Sequence, residues 1–354
     1  MEHYRNTKAI IHLGAIRRNT KALIQKYPGY RYYMAVVKAD CYGYRGNRVI
    51  EAMIDGGANC LAASLLEEGL SLREHFPYIP ILLFTPLPQE QLALCAQKRI
   101  WVTVADQAQA EVASTIPDLQ VMIRVNGGSD IFGGPTDKEG FRTLWRTLQA
   151  GKCRVIGMYL HSYNAEEESD TASEYETFER ITDGICLEDL EIISISNSLT
   201  LPRYGKKTYA NGCRLGNIIY GIESEDPALE NTFELQSKVL SVFTLKKGHS
   251  VAYGHAYTAQ ENCRIAAIPI GFGDGFSKTN IGRDVFIHGK RYPIVAVTMD
   301  ITHILVDDTV QKDDPVMVIR DTRHLDEVSV HIHGATEEPI CALNKRVFRE
   351  YIED

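Results

Sequence analysis

The chain has 354 residues, of which 44% are hydrophobic and 24% are charged, and this composition excludes disordered and fibrous proteins. Lys and Arg total 38 against 46 Asp and Glu, so with a formal net charge of −8 we expect no nucleic-acid partner and no anionic membrane. No apolar run reaches the ~20 residues that span a bilayer. The eight cysteines are scattered without a Cys-x-x-Cys pair, which predicts reduced thiols in a cytoplasmic protein and no metal site.

The first part of the chain alternates short apolar runs with amphipathic stretches. The runs are rich in β-branched or aromatic residues and lack strict alternation, as expected of parallel strands buried on both faces. Eight such runs occur, at 32–37, 60–64, 81–84, 101–104, 121–125, 155–160, 192–195 and 217–220. Between them, Phe141, Leu144 and Leu148 follow helical spacing. The pattern predicts an α/β fold with an N-terminal (β/α)8 TIM-type barrel, and a doubly wound open sheet is the main alternative.

The second part of the chain has apolar runs that lie closer together and are separated by Gly, Asn and Asp. These runs are at 237–245, 250–253, 263–270, 283–287, 292–297, 304–306, 315–319 and 327–332. They predict a mainly antiparallel β domain, whose tail at 342–351 could be a helix or a further strand. The polar segment 223–231 contains Pro227 and separates these two sequence patterns. We therefore expect a barrel domain at 1–228 and a β-rich domain at 229–354.

Lys38 is the strongest chemical candidate, in the segment Ala35-Val-Val-Lys-Ala-Asp-Cys-Tyr-Gly43. It closes the first predicted barrel strand, and barrels place their chemistry at the carboxyl ends of strands. Partial burial lowers the pKa of a lysine and makes its amine nucleophilic, as a Schiff-base lysine requires. A snorkelling lysine at a strand end is the structural alternative, and the spacing alone leaves both open.

The segment around Lys38 resembles the pyridoxal-phosphate lysine motif of the alanine racemase family (fold type III). The resemblance covers essentially the whole chain and continues in order through further motifs. These are His161 in 157–161, Asn197-Ser198, Arg214-Leu-Gly-Asn-Ile-Ile-Tyr-Gly221, segments 247–258 and 269–275, and Met299-Asp300. The resemblance implies pyridoxal 5'-phosphate as cofactor and an amino-acid racemase as the enzyme.

The resemblance also implies roles for individual residues around the cofactor. Lys38 would hold the cofactor, and Arg214 would face its pyridine nitrogen with His161 and Asn197 nearby. The phosphate would be bound by Tyr42, Ser198 and the backbone of Gly216 and Asn217. From the residues alone, Asn197 could instead cap a helix, and His161 could be a hydrogen-bonded strand-end histidine.

Racemisation needs an acid/base group on each face of the reacting carbon. By resemblance, Lys38 serves one face and Tyr253 of a partner subunit serves the other, while the backbone amide of Met299 binds the substrate carboxylate. This implies a homodimer whose active sites are shared across the interface. By composition alone, Tyr253 could equally be a strand aromatic in the core, since the chain has 18 tyrosines.

The cofactor side of the expected site departs from the family at three positions. Ile131 stands where the family has an arginine that helps to bind the cofactor and the carboxylate, and Arg124 aligns with a lysine that is often carbamylated. Arg124 could replace the missing charge. Ser194 takes the place of a histidine that supports the pyridine-facing arginine.

The substrate side departs as well. Phe272 replaces a tyrosine, and Lys345, or Asn344 with a shift of one residue, replaces the substrate-proximal tyrosine. We interpret these changes as altered specificity, for alanine or for serine if Asn344 bonds a substrate hydroxyl. The serine/alanine racemase domains of glycopeptide resistance are similar. The alternative is a cofactor-binding homologue that Ile131 has made non-catalytic.

Two weaker signals remain. His331 and His333 alternate on a predicted strand and could bind metal together, and with His161 they suggest a metal-dependent barrel hydrolase as a third hypothesis. No carboxylate or third ligand lies at a spacing typical of metal sites, so an ordinary exposed strand is the preferred interpretation. Segment 271–275 is glycine-rich but does not precede a predicted helix, which favours a turn over a phosphate loop.

Overall fold

The computed structural model describes residues 4–128, 133–162, 164, 167–224 and 226–354. It divides into two compact units. The first comprises residues 20–41 and 53–219 and is called the barrel unit below. The second comprises residues 1–19, 42–52 and 220–354 and is called the sheet unit.

The described residues form strands and helices along the whole chain. The strands are β1 (Lys8–His12), β2 (Tyr32–Val36), β3 (Cys60–Ala63), β4 (Ile81–Leu83), β5 (Trp101–Val104), β6 (Gln120–Val125), β7 (Arg154–Leu160), β8 (Ile192–Ser196), β9 (Gly212–Leu215), β10 (Phe233–Lys238), β11 (Ser241–Leu245), β12 (Ser250–Val251), β13 (Tyr257–Thr258), β14 (Cys263–Ile268), β15 (Asp284–Ile287), β16 (Lys290–Val297), β17 (Thr302–Val306), β18 (Pro315–Ile319) and β19 (Phe348–Ile352). The main helices are Leu13–Lys26, Asn47–Asp55, Leu66–His75, Gln89–Lys98, Gln107–Ser114, Lys138–Ala150, Glu168–Thr182, Thr200–Tyr204, His324–Ile332 and Glu338–Ala342. None of these helices has the length and hydropathy needed to cross a bilayer.

Strands β2 to β9 form a closed parallel barrel, in which β9 pairs with β2. The barrel prediction is confirmed, and the open-sheet alternative is wrong. The closing strand is Gly212–Leu215 and not the predicted run 217–220. That run is itself a tight turn, in which the Ile219 amide donates to the Gly216 carbonyl at 3.0 Å. Apolar composition alone could not distinguish a strand from a buried turn.

The barrel interior is filled by one cluster of side chains from seven of its strands. Its members are Tyr32, Met34, Cys60, Ala62, Leu82, Trp101, Met122, Ile156, Tyr159 and Ile192. Since side chains two residues apart point to the same face of a strand, this cluster identifies the inward positions. The inward rows continue to Lys38, Arg124, His161 and Arg214 at the carboxyl end of the barrel.

The sheet unit contains a nine-stranded sheet in the order β11-β14-β17-β16-β15-β18-β10-β1-β19. All pairs are antiparallel except β1 with β19, which confirms the mainly antiparallel prediction. The N-terminal strand β1 lies between β10 and β19. The tail of the chain supplies β19 and is therefore a strand rather than a helix.

Two local predictions in the sheet unit have different outcomes. The predicted strand 327–332 is wrong, because these residues belong to the helix His324–Ile332, whose buried Leu325 and Val328 follow helical spacing. The Nε2 of His331 donates to the Ile281 carbonyl at 3.0 Å, and His333 lies beyond the helix in a left-handed conformation, so the two rings do not share a strand face. Segment 271–275 is a turn as expected, with a 3-10 helix at Phe272–Asp274.

Candidate active site

Lys38 begins a left-handed turn directly after β2. The next four residues, Ala39, Asp40, Cys41 and Tyr42, have φ values of 53°, 53°, 57° and 54°. None of them is glycine, and each left-handed residue costs about 1–2 kcal/mol. Such a turn persists only where its surroundings hold it, and strained backbone of this kind concentrates at functional sites.

Glu68 holds this turn through its carboxylate. One oxygen accepts a hydrogen bond from the Ala39 amide at 2.7 Å, and the other accepts from the amides of Ser64 and Leu65 at 2.9 and 3.0 Å. A single side chain thus joins the loop after β2 to the loop after β3. The sequence analysis missed Glu68, although its position three residues after the helix N-cap Leu65 is a recognisable capping signal.

Arg214 lies on β9 and is buried, and both terminal nitrogens of its guanidinium donate hydrogen bonds to the barrel. Its Nη1 donates to the carbonyl and the hydroxyl of Ser194 at 2.7 and 2.9 Å, and its Nη2 donates to the Leu160 carbonyl at 2.6 Å. Burial lowers the pKa of Arg214 to about 10, so it stays protonated near neutral pH. Ser194, one of the positions that depart from the family, therefore still supports this arginine.

His161 follows β7 at the mouth of the barrel. Part of its surface is open to solvent, but protein atoms surround the imidazole ring on most sides. Burial, together with the charges of Arg214, Arg124 and Lys38, lowers the pKa of His161 to about 3. The ring is therefore neutral at physiological pH. Its Nδ1 lies 3.5 Å from Arg214 Nη2, and as the acceptor of this contact it leaves the ring proton on Nε2.

Asn197 caps the helix Thr200–Tyr204, as the structural alternative predicted. Its side-chain oxygen accepts from the amides of Leu199 and Thr200, both at 3.0 Å. The Thr200 hydroxyl accepts in return from the Asn197 amide at 2.8 Å. Asn197 thereby fixes the loop that carries Ser198.

Ser198 and the Gly216 turn meet at the carboxyl ends of β8 and β9. The Gly216 amide donates to the Ser198 hydroxyl oxygen at 2.8 Å, which leaves the serine O–H able to donate elsewhere. Asn217 is the next residue of the same turn. Three of the four predicted phosphate-binding groups thus lie together, although the Gly216 amide already donates to Ser198 in this structure.

Arg124 is a buried cation on β6. It is 1% exposed, and its Nη1 donates to the Gly133 carbonyl at 2.9 Å. Its charge acts on both His161 and Arg214, whose pKa values it lowers. Ile131 lies outside the described residues.

Tyr42, the fourth predicted phosphate ligand, belongs to the sheet unit. Its ring packs against Tyr220 at a centroid distance of 5.2 Å. Burial and the charge of Glu337 raise the pKa of Tyr42, so its phenol remains a hydrogen-bond donor.

Tyr253 is 88% exposed at the start of a 3-10 turn in the sheet unit, and the core interpretation of this residue is therefore wrong. Met299 and Phe272 are also exposed, at 54% and 41%. The Met299 loop is joined to Phe272 because the Gly273 amide donates to the Met299 carbonyl at 2.8 Å.

Asn344 is held by backbone groups at both ends of its side chain. Its amide donates to the Gly273 carbonyl at 2.8 Å, and its oxygen accepts from the Arg346 amide at 2.9 Å. The neighbouring Lys345 is exposed.

A buried carboxylate that the sequence analysis missed organises the loop beneath Met299. Asp274 is fully buried and accepts two hydrogen bonds from Arg5, at 2.5 and 2.7 Å, and one from the Gly271 amide at 2.9 Å. No local pattern marked either residue, because their separation of 269 positions hides the pair.

Comparison with known proteins identifies the family. The alanine racemase N-terminal domain matches residues 11–224, and the alanine racemase C-terminal domain matches residues 232–351. The chain belongs to the alanine racemase family. It is thus an amino-acid racemase, which is an isomerase.

Individual relatives agree with this assignment. Alanine racemase 1 of Bacillus subtilis (strain 168) is 28% identical over 99% of this chain and 94% of its own. The crystal structure of alanine racemase from E. faecalis has a TM-score of 0.89 at 26% identity and covers 99% of both chains. An alanine racemase structure from Bartonella henselae, with covalently bound pyridoxal phosphate, shares the fold at a TM-score of 0.87, 23% identity and coverage of 98% of this chain and 99% of its own.

The family depends on pyridoxal phosphate, and the residues of this chain fit that group. The barrel mouth combines the Lys38 amine with two buried guanidinium groups and the Ser198–Gly216 loop. This donor set suits an anionic phosphate ester that carries an aldehyde. Ser162, next to His161, also keeps a buried hydroxyl oxygen that has no hydrogen-bond partner in the described part of the chain. A bound group could satisfy it.

Proposed function

We propose that this racemase uses pyridoxal 5'-phosphate bound at Lys38 to interconvert the L and D forms of a small amino acid, alanine or serine. The observation that carries the proposal is the position of Lys38 on the inward face of the barrel end, in a turn fixed by Glu68. The remaining cofactor-binding residues of the proposal are Tyr42, His161, Asn197, Ser198, Arg214, Gly216 and Asn217.

The cofactor, when bound, withdraws electrons and so stabilises negative charge on the substrate α-carbon. The protein positions this chemistry. The Ser198 hydroxyl and the Gly216–Asn217 turn bind the phosphate, and Arg214 presents a permanent positive charge that keeps a neighbouring ring nitrogen unprotonated. His161 stays neutral and orients Arg214 without competing for protons.

Lys38 and Tyr253 are proposed to exchange the α-proton on opposite faces of the substrate. Tyr253 would come from a partner subunit, and the Met299 amide of that subunit would bind the carboxylate. Their exposure in the single chain supports a shared site, since a residue that serves a partner cannot be buried in its own core. A phenol with a pKa near ~10 needs cations close by to act as a base at neutral pH. We further propose a homodimer in the cytoplasm.

The substrate proposal rests on the side chains near the Met299 loop. Because Asn344 is engaged with the backbone of 273 and 346, its contribution to a substrate hydroxyl would need a second hydrogen bond on the same amide. This favours alanine over serine. The exposed Lys345 beside it supplies a charge that the family position does not normally carry.

A racemisation screen over the common amino acids, with added pyridoxal phosphate, tests the proposal. Circular dichroism follows the loss of optical activity, and Lys38→Ala is the matched control. We expect L-alanine, and more slowly L-serine, to racemise with the wild-type protein and not with the variant. If the protein shows a cofactor absorption band but changes no amino acid, it is the non-catalytic homologue instead.

A further inference from the structure

An ion-pair network lies beside the Met299 loop, residues 298–301 of the sheet unit. It joins two carboxylates, Asp274 and Asp300, to two guanidinium groups, Arg5 and Arg346. Asp274 is fully buried, and the other three side chains are partly exposed. Burying a carboxylate is costly unless cations and amides surround it, so Asp274 with its partners is a fixed point to which the loop can be attached.

Arg346 connects this buried carboxylate with the loop. Its Nε lies 3.3 Å from the Asp274 carboxylate, and its Nη2 donates to the Asp300 carboxylate at 2.5 Å. Arg5 uses both of its terminal nitrogens on Asp274, at 2.5 and 2.7 Å. Arg346 therefore carries the connection from Asp274 to the residue that directly follows Met299.

Gly273 brings the Arg346 guanidinium and the Met299 backbone together. Its amide donates to the Met299 carbonyl at 2.8 Å. A Cβ atom at this position would lie 2.4 Å from Arg346 Nη1 and 2.9 Å from the Met299 carbonyl oxygen, so the close approach requires glycine. Movement of the guanidinium would consequently be felt at the Met299 backbone.

The Met299 loop is closed by its own hydrogen bonds and leaves one amide available. The Thr298 amide donates to the Ile301 carbonyl at 2.8 Å, and the Ile301 amide donates to the Thr298 hydroxyl at 3.2 Å. The Met299 amide has no acceptor within the ranges of the chain that the structure describes. A backbone donor that is held in place and unused can bind a ligand that brings an acceptor.

We infer that Arg346 is a positioning residue, which holds the Met299 loop so that the Met299 amide meets the substrate carboxylate. This inference rests on the proposed function, in which that amide binds the carboxylate. Arg346 acts through the loop and does not touch the substrate. Because the carboxylate keeps its charge while the α-proton is exchanged, the amide binds ground state and transition state alike. A displaced loop should therefore raise KM and leave kcat unchanged.

Steady-state kinetics of Arg346→Gln test the inference, with Arg291→Gln as the matched control. Arg291 is in the same unit, its side chain is 47% exposed against 43% for Arg346, and it also lies between two carboxylates, Glu327 at 2.8 Å and Asp284 at 3.7 Å. We expect KM to rise about three- to ten-fold in Arg346→Gln at unchanged kcat, and neither constant to change in the control. Arg346→Lys keeps the charge without the planar fork and should recover part of the loss.

Amide hydrogen exchange measures the loop itself and needs no turnover. The Thr298 and Ile301 amides should exchange about two- to five-fold faster in Arg346→Gln than in the wild type, and at the wild-type rate in Arg291→Gln. Equal exchange in the wild type and Arg346→Gln would overturn the positioning role. Faster exchange with an unchanged KM would overturn it as well, because the loop would then not serve the substrate. A wild-type protein that racemises no amino acid would contradict the proposed function, and exchange would still decide whether Arg346 holds the loop.

Discussion

The Glu68 carboxylate accepts a hydrogen bond from the amide of Ala39, the residue that follows Lys38, at 2.7 Å. Its other oxygen binds two amides of the loop after β3. The left-handed turn that presents Lys38 is therefore held by an acidic side chain from a neighbouring β/α unit. This contact fixes the residue that directly follows Lys38.

Substitution of Glu68 should loosen the Lys38 turn. Glu68→Gln replaces one accepting oxygen by an NH2 group, so at least one of the three amides loses its acceptor, and because these amides are partly exposed we expect a cost of about 0.5–1.5 kcal/mol in the free energy of unfolding. We expect kcat to fall together with stability. Urea unfolding and steady-state kinetics measure the two effects. The control Glu67→Gln lies on the same helix and is exposed, and it should stay within about 0.5 kcal/mol of the wild type. Equal effects of both variants would show that the contact with Ala39 is unimportant.

Support of Arg214 by Ser194 should be measurable at the cofactor. Ser194→Ala removes the hydroxyl contact at 2.9 Å but leaves the carbonyl contact at 2.7 Å, so we expect a loss of about 1 kcal/mol in stability. Arg214→Lys keeps the charge but cannot reach both Ser194 and Leu160 in the same geometry. It should shift the absorption spectrum of the bound cofactor more than Ser194→Ala does. A larger spectral shift in Ser194→Ala than in Arg214→Lys would contradict the view that Arg214 acts on the cofactor directly and Ser194 only through Arg214.

Stability should fall in acid through histidines whose pKa is lowered by burial. Burial is the main cause that lowers the pKa of His324 to about 4, and burial also lowers the pKa of His303. In the unfolded chain both have a pKa near ~6.5, so below that pH the unfolded state binds protons that the folded state does not. Stability is therefore complete above pH ~6.5 and declines toward pH 4, by up to about 1.4 kcal/mol per pH unit for the buried His324.

Unfolding free energies measured between pH 7 and pH 4 check this dependence. His324→Gln should reduce the slope of the unfolding free energy against pH, because one proton fewer is taken up on unfolding in acid. Substitution of the exposed His75 by Gln should leave this slope unchanged. A slope that is the same in the wild type and His324→Gln would exclude His324 as a source of the acid sensitivity.

Subunit mixing tests the proposed sharing of sites. If Lys38 and Tyr253 of one site come from different subunits, a hybrid of Lys38→Ala and Tyr253→Phe chains has one intact and one doubly defective site. After exchange of an equimolar mixture, about half of the dimers are hybrids, and activity should rise to about a quarter of the wild-type value. Activity no higher than the mean of the two parent variants would indicate that each chain forms its own site.

The sequence predicted the barrel well, because buried parallel strands have a recognisable composition and because the motif at Lys38 ends the first of them. It failed where tertiary context decides. Strand β9 contains the charged Arg214, so its sequence does not look like that of a buried strand. The apolar run that follows it forms a turn that begins at Gly216. The helix around Val328 was missed because its apolar residues also fit a short strand.

The site was predicted only in part, for a related reason. Residues inside local motifs, such as Ser198 and Arg214, could be named from the sequence by resemblance. Asp274 could not, because its partner Arg5 lies 269 positions away in the chain. The capping position of Glu68 could be recognised, but its hydrogen bond to Ala39, 29 positions away, could not. The exposure of Tyr253 likewise depends on tertiary structure and is not encoded in its neighbours.

The central claim is that Lys38 binds the cofactor covalently, and one measurement tests it most directly. Freshly purified holoprotein is reduced with borohydride, digested and mapped by mass spectrometry. We predict a single pyridoxyl group on the peptide that contains Lys38, and none at the exposed Lys345. A label on any other lysine, or no label in a protein that shows the cofactor absorption band, would contradict the account.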